Sequence, residues 1–232
     1  KRAAKSAGAR IFEGSRAVSI REGEKVLIRT ISGSVTASNV FLACDTETGD
    51  LVTKAGRYTM PVLNYITATE PLGEDRACAL IPSNAAVSDS RFVLNYLRLS
   101  ADNRLLFAGG EKYTPKPPED IAAFVRPYML KLFPQLADAR IHYAWGGTVG
   151  ITVNRLPHIG RAGNTLFAHG FSGQGVLLTT LVGELLAELL KGDSRNFDLF
   201  EKIPHRGFPG GKLLRSPTYV VGMLYSAMMD RL

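Results

Sequence analysis

The stretch that decides the fold is Phe167-Ala168-His169-Gly170-Phe171-Ser172-Gly173-Gln174-Gly175-Val176, running on into Leu177-Leu178-Thr179-Thr180-Leu181-Val182-Gly183-Glu184-Leu185-Leu186-Ala187-Glu188-Leu189-Leu190. It reads as a short buried strand over Thr165 to Ala168, a turn carrying Gly170, Gly173 and Gly175, and an amphipathic helix. Leu177, Leu178, Leu181, Leu185 and Leu189 recur at three- and four-residue steps, while Glu184 and Glu188 mark a wetter face. Glycines at the entry turn let backbone approach a neighbour closely, and a helix N-terminus presents unpaired N–H groups with partial positive charge. Two uses of such a turn fit equally: a seat for an anionic or electron-rich flat ligand, or a tight strand-to-helix connection that holds nothing. The spacing is Gly-x-x-Gly-x-Gly; the dinucleotide fingerprint Gly-x-Gly-x-x-Gly occurs nowhere in the chain.

Outward from that stretch, composition narrows the class. The chain has 232 residues, 45% hydrophobic and 21% charged, which suits one large or two small soluble domains with a proper core. The formal charge of +7 is spread along the chain and comes with no nucleic-acid-binding motif. A field that draws in an anionic cofactor or substrate is its expected use, and no nucleic-acid partner is expected. Cys44 and Cys78 make neither a disulfide framework nor a metal-ligand spacing, and His142, His158, His169 and His205 are too dispersed for a metal motif. No apolar run is long enough to span a bilayer and no signal peptide is visible, so the cytoplasm is the expected compartment, with no membrane partner. The chain opens without methionine inside a helix-like segment, Arg2 to Ala7, and reads as a piece of a longer protein.

In order along the chain, Arg16 to Arg21, Lys25 to Thr30 and Val35 to Ser38 read as a meander with turns at Glu22-Gly23-Glu24 and Ser32-Gly33-Ser34. Asn39 to Cys44 is an apolar run of the kind a parallel sheet buries on both faces. Asp45 to Arg57 is a crossing; Val62 to Thr69, Arg91 to Leu99 and Arg104 to Ala108 are strands, the last two joined at Asp102-Asn103. Tyr65, Phe92 and Tyr96 put aromatics on that sheet. Thr114 to Pro118 is a proline-rich linker. Glu119 and Asp120 open a helix through Ile121, Phe124, Tyr128 and Leu132, which Pro127 should kink or split and Pro134 should end. Ile141 to Trp145 is a further strand, stopping at Trp145-Gly146-Gly147, and another lies within Val149 to Gly160. After the glycine turn and its helix, Ser216 as N-cap and Pro217 start a last helix over Tyr219 to Leu232, whose methionines and aromatics should pack on the body of the protein.

These pieces, taken together, resemble a known family. A meander ending in Leu42-Ala43-Cys44, a sheet holding Tyr65 and ending at Glu70-Pro71-Leu72, Trp145-Gly146-Gly147, Pro157-His158-Ile159-Gly160 and His169 to Gly175 are similar to the C-terminal half of the FAD-dependent oxidoreductases related to glycine oxidase, sarcosine oxidase and D-amino-acid oxidase. The tail, with Phe197-Asp198, Phe200, Pro204-His205, Phe208-Pro209-Gly210-Gly211 and Leu213-Leu214-Arg215, resembles the branch that oxidises gamma-glutamylputrescine. The resemblance implies an α+β architecture, α/β with a mixed sheet, forming the C-terminal part of a two-domain flavoenzyme that lacks the Rossmann glycine motif. Its parts would be residues 1–52 (partial FAD-binding domain), 53–148 (substrate domain), 149–191 (return to the FAD-binding domain) and 192–232 (C-terminal extension).

The same resemblance implies site residues. Val18 would contact adenine, Ala43 and Cys44 would pass the pyrophosphate, and Gly146, Gly160, Gly170, Phe171, Ser172, Gly173, Gln174, Gly175 and Val176 would border the flavin. Tyr65, Trp145 and Phe171 would wall the substrate pocket; no catalytic base stands out, and His169 beside the turn reads more readily as structural. FAD would be non-covalent, because no cysteine lies near Trp145. Thr148 and Leu177 stand where glycine oxidase and sarcosine oxidase carry a cation for a carboxylate next to the amine, which favours an amine or diamine conjugate as substrate. The implied reaction is hydride transfer from the amine-bearing carbon to flavin, then hydrolysis of the imine to an aldehyde. A second reading is a non-catalytic module or subunit that needs a partner carrying the dinucleotide-binding half; this chain alone is expected to hold FAD weakly and to be inactive.

Overall fold

The computed structural model describes residues 1–48, 51, 56–91, 94–110, 116–209 and 214–229. The expected features at Phe92, Thr114, Pro115, Gly210, Gly211, Leu213 and Leu232, and most of the crossing between Asp45 and Arg57, lie outside the described residues. The chain forms two compact units: residues 1–59 with 152–206, and residues 60–151 with 207–232.

In the first unit, after α1 (Arg2–Ser6), strands β1 (Ala17–Arg21), β2 (Val26–Thr30) and β3 (Ser34–Ala37) make the expected antiparallel meander. Strand β4 (Val40–Leu42) leads to a 3₁₀ turn, Asp45–Thr48. Strands β10 (His158–Ala162) and β11 (Thr165–His169) form a hairpin, and β11 pairs with β4 in parallel, giving the order β10-β11-β4. This parallel contact is where the fold mixes strand directions. Its β4 edge is outermost, and Phe41 on it is 37% exposed, so the run expected to be buried on both faces is covered on only one among the described residues. Helix α4 (Gly175–Leu190) and α5 (Arg195–Glu201) cover the hairpin through Val182, Leu185 and Phe197, which pack with Ile159, Leu166 and Ala168. Glu22 binds the hairpin tip, accepting from the Asn164 N–H at 3.1 Å and from the Thr165 hydroxyl. Arg161 clamps β10 to α5 through Glu201 and Asp198 and lies 4.9 Å over the Phe197 ring.

The second unit is built on a five-stranded sheet of order β6-β7-β8-β5-β9, with β5 (Met60–Thr69), β6 (Val87–Ser88), β7 (Tyr96–Leu99), β8 (Leu105–Ala108) and β9 (Ile141–Ile151), antiparallel at every pairing. Helix α2 (Glu74–Leu80), which the periodicity had not revealed, follows β5. Helix α3 (Ile121–Leu132) buries Val125 and Met129 against Tyr65, Leu97, Leu105 and Phe107. Asp120 caps it by accepting the Ala123 N–H at 2.9 Å. Pro127 neither splits nor ends this helix: it sits inside a continuous 12-residue run. Val125 and Met129 on either side are fully buried, and their packing outweighs the lost backbone bond.

Other expected boundaries move for identifiable reasons. The strand read over Arg91 to Leu99 starts only at Tyr96, and just before it the Asp89 carboxylate collects the Asn95 N–H at 3.0 Å and the Asn95 side-chain amide at 2.6 Å. Conversely, the strand expected to stop at Trp145 runs unbroken to Ile151. Gly146 pairs with Tyr65 inside the continuous β5–β9 ladder, and a Cβ there would sit 3.1 Å from the Tyr65 ring, a tight contact that the glycine avoids. The last helix, α6 (Arg215–Met229), begins one residue ahead of the expected cap, with the Thr218 N–H bonded to the Leu214 carbonyl. Val221, Leu224, Tyr225, Met228 and Met229 on it are exposed, contrary to the expectation that its apolar side chains pack on the body. No described helix is long and apolar enough to cross a membrane. Asp120→Ala should lower unfolding stability by about 1 kcal/mol without changing the ligand-facing surfaces, measurable as a shift of the denaturation midpoint.

Candidate functional site

The glycine turn is built from backbone constraints. Gly170 has φ of +70°, and a Cβ at this position would lie 2.4 Å from Thr152 Cγ2. Both facts require glycine. Its N–H donates to Asp45 Oδ1 at 2.7 Å, so the carboxylate that follows β4 fixes the amide that follows β11. Ser172 also takes a left-handed conformation, φ 51°, and turns its hydroxyl inward: it donates to the Gly170 carbonyl at 3.2 Å and accepts the Thr152 N–H at 3.4 Å. The Gln174 N–H closes the turn on the Phe171 carbonyl at 2.9 Å.

What the turn leaves outward is open. Gly173 has φ of +93° and nothing within 4 Å of where a Cβ would stand. The first bond of α4 runs from the Leu178 N–H to the Gln174 carbonyl, and no side chain caps the helix. The N–H groups of Gly175, Val176 and Leu177 therefore have no protein partner among the described residues and add to the positive end of a 16-residue helix. Val176 and Leu177 beside them are 93% and 72% exposed. Open amides flanked by bare aliphatic surface suit the polar edge and apolar face of a flat heterocycle. The residues present thus fit a flavin ring edge.

Behind the turn lies a network that the sequence did not disclose. His169, 1% exposed, bonds on both ring nitrogens: Nδ1 to Thr59 Oγ1 at 2.9 Å and Nε2 to His158 Nδ1 at 2.7 Å. The His158 ring lies 4.6 Å from that of His205 and 4.5 Å from that of Tyr58, centroid to centroid. Burial, reinforced by the neighbouring His169 and His205, pushes His158 down to about 3. Burial likewise pushes His169 down to about 4, although the Asp45 charge pulls the other way. His205 is lowered by burial against its bond to the Pro157 backbone. The pair is therefore neutral and shares one proton across the 2.7 Å contact, since protonating both rings would set N–H against N–H. Three histidines separated by 11 and 36 residues in sequence meet only through the β10–β11 hairpin and the segment after α5. Among the described residues no group of three or more His, Cys, Asp or Glu is placed to hold a metal ion.

The other residues singled out in the sequence fall as follows. Val18 is on the exposed face of β1, and Ala43 and Cys44 join β4 to the turn bearing Asp45. Burial, then Glu47, raises the Cys44 thiol. Gly160 faces Phe167 across the hairpin, where a Cβ would be 2.9 Å from the ring, so close packing is what demands it. Gly146 is matched to Tyr65 in the second unit. Tyr65 is 2% exposed on the helix-covered side of the sheet, edge-on to Phe124, and belongs to the core. Trp145 is on the opposite, open face and is 44% exposed.

Comparison with known proteins decides the family. The model of the family described as "DAO: FAD dependent oxidoreductase" matches residues 1–189. The chain belongs to this family. It is 42% identical over 227 residues to the gamma-glutamylputrescine oxidoreductase of Escherichia coli, covering 97% of this chain and 53% of that protein. It is 40% identical over 233 residues to a probable oxidoreductase, OrdL, of Rhizobium meliloti, covering 99% and 54%. Among solved structures it is similar to glycine oxidase from Geobacillus kaustophilus, with a TM-score of 0.69 at 23% identity over 88% of this chain and 56% of that one. Amadoriase I from Aspergillus fumigatus matches with a TM-score of 0.66 at 18% identity, covering 85% and 51%. These last two likenesses concern the fold. The chain spans about half the length of the curated relatives it matches.

Two outcomes test the site's physics. Gly170→Ala should cost about 2–4 kcal/mol of stability, the sum of a left-handed alanine and an overpacked Thr152 contact, read as a large fall in the denaturation midpoint. The histidine pair is depressed below its unfolded value, so it binds fewer protons when folded. Its contribution is complete above the unfolded value and is lost as pH falls through about 6.5 towards the folded values of about 4 and about 3. Melting temperature should fall across that window, and His169→Gln should reduce the slope.

Proposed function

We propose that this chain forms the flavin-ring and substrate-facing part of an FAD-dependent oxidoreductase that oxidises a primary amine, with a gamma-glutamylputrescine-like conjugate as substrate. The observation that carries the reading is the open Gly170–Val176 turn, held from behind by Asp45 and Thr152, with three unpartnered helix amides among the described residues facing outward. Family membership supports FAD as the group, and the Escherichia coli relative supports the substrate class.

Bound FAD supplies the acceptor for the hydride that leaves the amine-bearing carbon. The chain's own part is electrostatic and steric. The amides of Gly175, Val176 and Leu177, at the positive end of α4, favour negative charge placed against them, and they do so without reorganising because Asp45 and Ser172 already fix the turn. Val176 and Leu177 exclude water from that edge when covered. The neutral His158–His169 pair keeps a second positive charge away from the turn. Thr148 and Leu177 offer no cation, which supports an amine without a carboxylate on its reacting carbon. No general base is assigned.

The second reading, a module that acts only with a partner bearing the dinucleotide-binding half, is favoured by the outermost β4 edge and the bare Phe41, Val176 and Leu177. Purification tests this dependence: the chain by itself should carry little flavin absorbance, and stoichiometric flavin would overturn the expected need for the other half. In the protein containing that half, gamma-glutamylputrescine should bleach the flavin anaerobically faster than glycine does. A preference for glycine would overturn the substrate assignment.

A further inference from the structure

Helix α6 carries an apolar seam that no described residue of its own unit covers. Written in sevens from Leu214, the first and fourth positions read Leu214, Pro217, Val221, Leu224 and Met228, with Tyr225 and Met229 beside them. This is the spacing of helices that pack side by side along their length. All seven residues are exposed, the six other than Pro217 by 46% to 66%. Thr218 and Val220, which fall between the seam positions, are the half-buried ones, and α6 meets its unit chiefly at β5. Residues 216–229 include no charged side chain. A helix this apolar on its outward side is one that a neighbour covers.

The neighbour has to match that seam. A bilayer surface selects helices with a Lys/Arg-rich polar face, which an uncharged run lacks, and α6 is not long and apolar enough to cross a membrane. Seven-residue spacing is the signature of contact with a second helix, and α6 of another copy carries the same spacing. The area agrees. Six large side chains about half exposed offer about 600 Å², the top of the range for the largest apolar patch of a monomer. Two such seams face to face approach the ~1,200 Å² at which stable interfaces begin. With no charge on the run, two copies meet without like-charge repulsion, and one patch serves both partners as two-fold symmetry requires.

We propose that α6 is a homotypic docking helix: two copies of this chain pair along residues 214–228, with Val221 and Leu224 at the centre of the contact and Tyr225 and Met229 closing its flank. The inference does not depend on the amine-oxidation reading, since every residue it uses lies on α6 or directly before it. It also accounts for side chains that were expected to pack on the body of the protein and instead stand in the open: the body they pack on is the other copy's helix.

Sedimentation velocity of the 232-residue chain between about 1 and about 100 μM reads the association directly. The chain should sediment as a dimer at the upper end and dissociate on dilution. Leu224→Glu should raise the dissociation constant at least about 10-fold, because each seam would then bury a carboxylate, and Val221→Glu should do the same. Leu224→Met, which keeps the seam apolar, should keep the dimer. Both residues are exposed in the single chain, so the denaturation midpoint of the dilute glutamate variants should match the parent's, separating lost pairing from lost folding. A monomer across the whole range, or a dimer indifferent to both glutamate substitutions, would overturn the proposal. With phosphatidylglycerol–phosphatidylcholine vesicles the parent should stay in the supernatant; co-sedimentation abolished by Leu224→Glu would assign the seam to a membrane and overturn it. In the protein containing the dinucleotide-binding half the dimer should persist, and a monomer there would give the seam to that half instead.

Discussion

A single carboxylate-to-amide contact governs the glycine turn. Asp45 accepts the Gly170 N–H at 2.7 Å, and the strands ending just before these residues, β4 and β11, are paired in parallel. Parallel pairing brings two strand ends to the same edge of the sheet, and the contact locks them there. The chain then has to reverse within a few residues into α4, and left-handed conformations at Gly170, Ser172 and Gly173 achieve this. Because Ser172 and Asp45 satisfy the inward side of the turn, its outward amides remain available. A strained turn with its own hydrogen bonds turned inward is what makes an exposed set of donors stable.

The histidine network follows from the same constraint. The side chain of His169 points away from the turn into a space closed by Thr59, His158 and Phe167, where a charged imidazole would be costly to desolvate. Neutrality lets the two rings share a proton and satisfy one another, which turns a potential liability into a rigid floor beneath Gly170. The second unit solves a different problem. Its sheet uses one face for a core of Tyr65, Phe107, Val125 and Met129 and leaves the other with Tyr96, Arg98 and Trp145. The alternation within β7, Tyr96 and Arg98 out, Leu97 and Leu99 in, assigns each residue to its face.

Some of this organisation was legible directly. The turn and helix after Phe167 followed from glycine spacing and leucine periodicity, the meander from alternating apolar residues, and the Asp102-Asn103 hairpin from turn chemistry, Asn103 having φ of 59°. Local signals failed where a distant partner decided. Pro127 argued for a broken helix, but Val125 and Met129 hold it whole. Gly146-Gly147 argued for a strand end, but pairing with β5 carries the ladder through both glycines to Ile151. Tyr65 read as a pocket wall because an aromatic on a sheet can face either way; only pairing with β8 and β9 sets the side.

The sequence by itself determined the elements whose causes are local: where glycine must bend the chain, where an aspartate caps a helix, which leucines share a stripe. Through resemblance it also indicated the flavoenzyme family. Only the tertiary structure decided how those elements meet, because that depends on groups remote in the chain. Asp45 meets Gly170 across 125 residues, Thr59 meets His169 across 110, and Tyr96 and Trp145 share a row only by way of two intervening strands. No periodicity records such meetings, since hydrogen bonds and sheet register act through space once the backbone has brought the partners together.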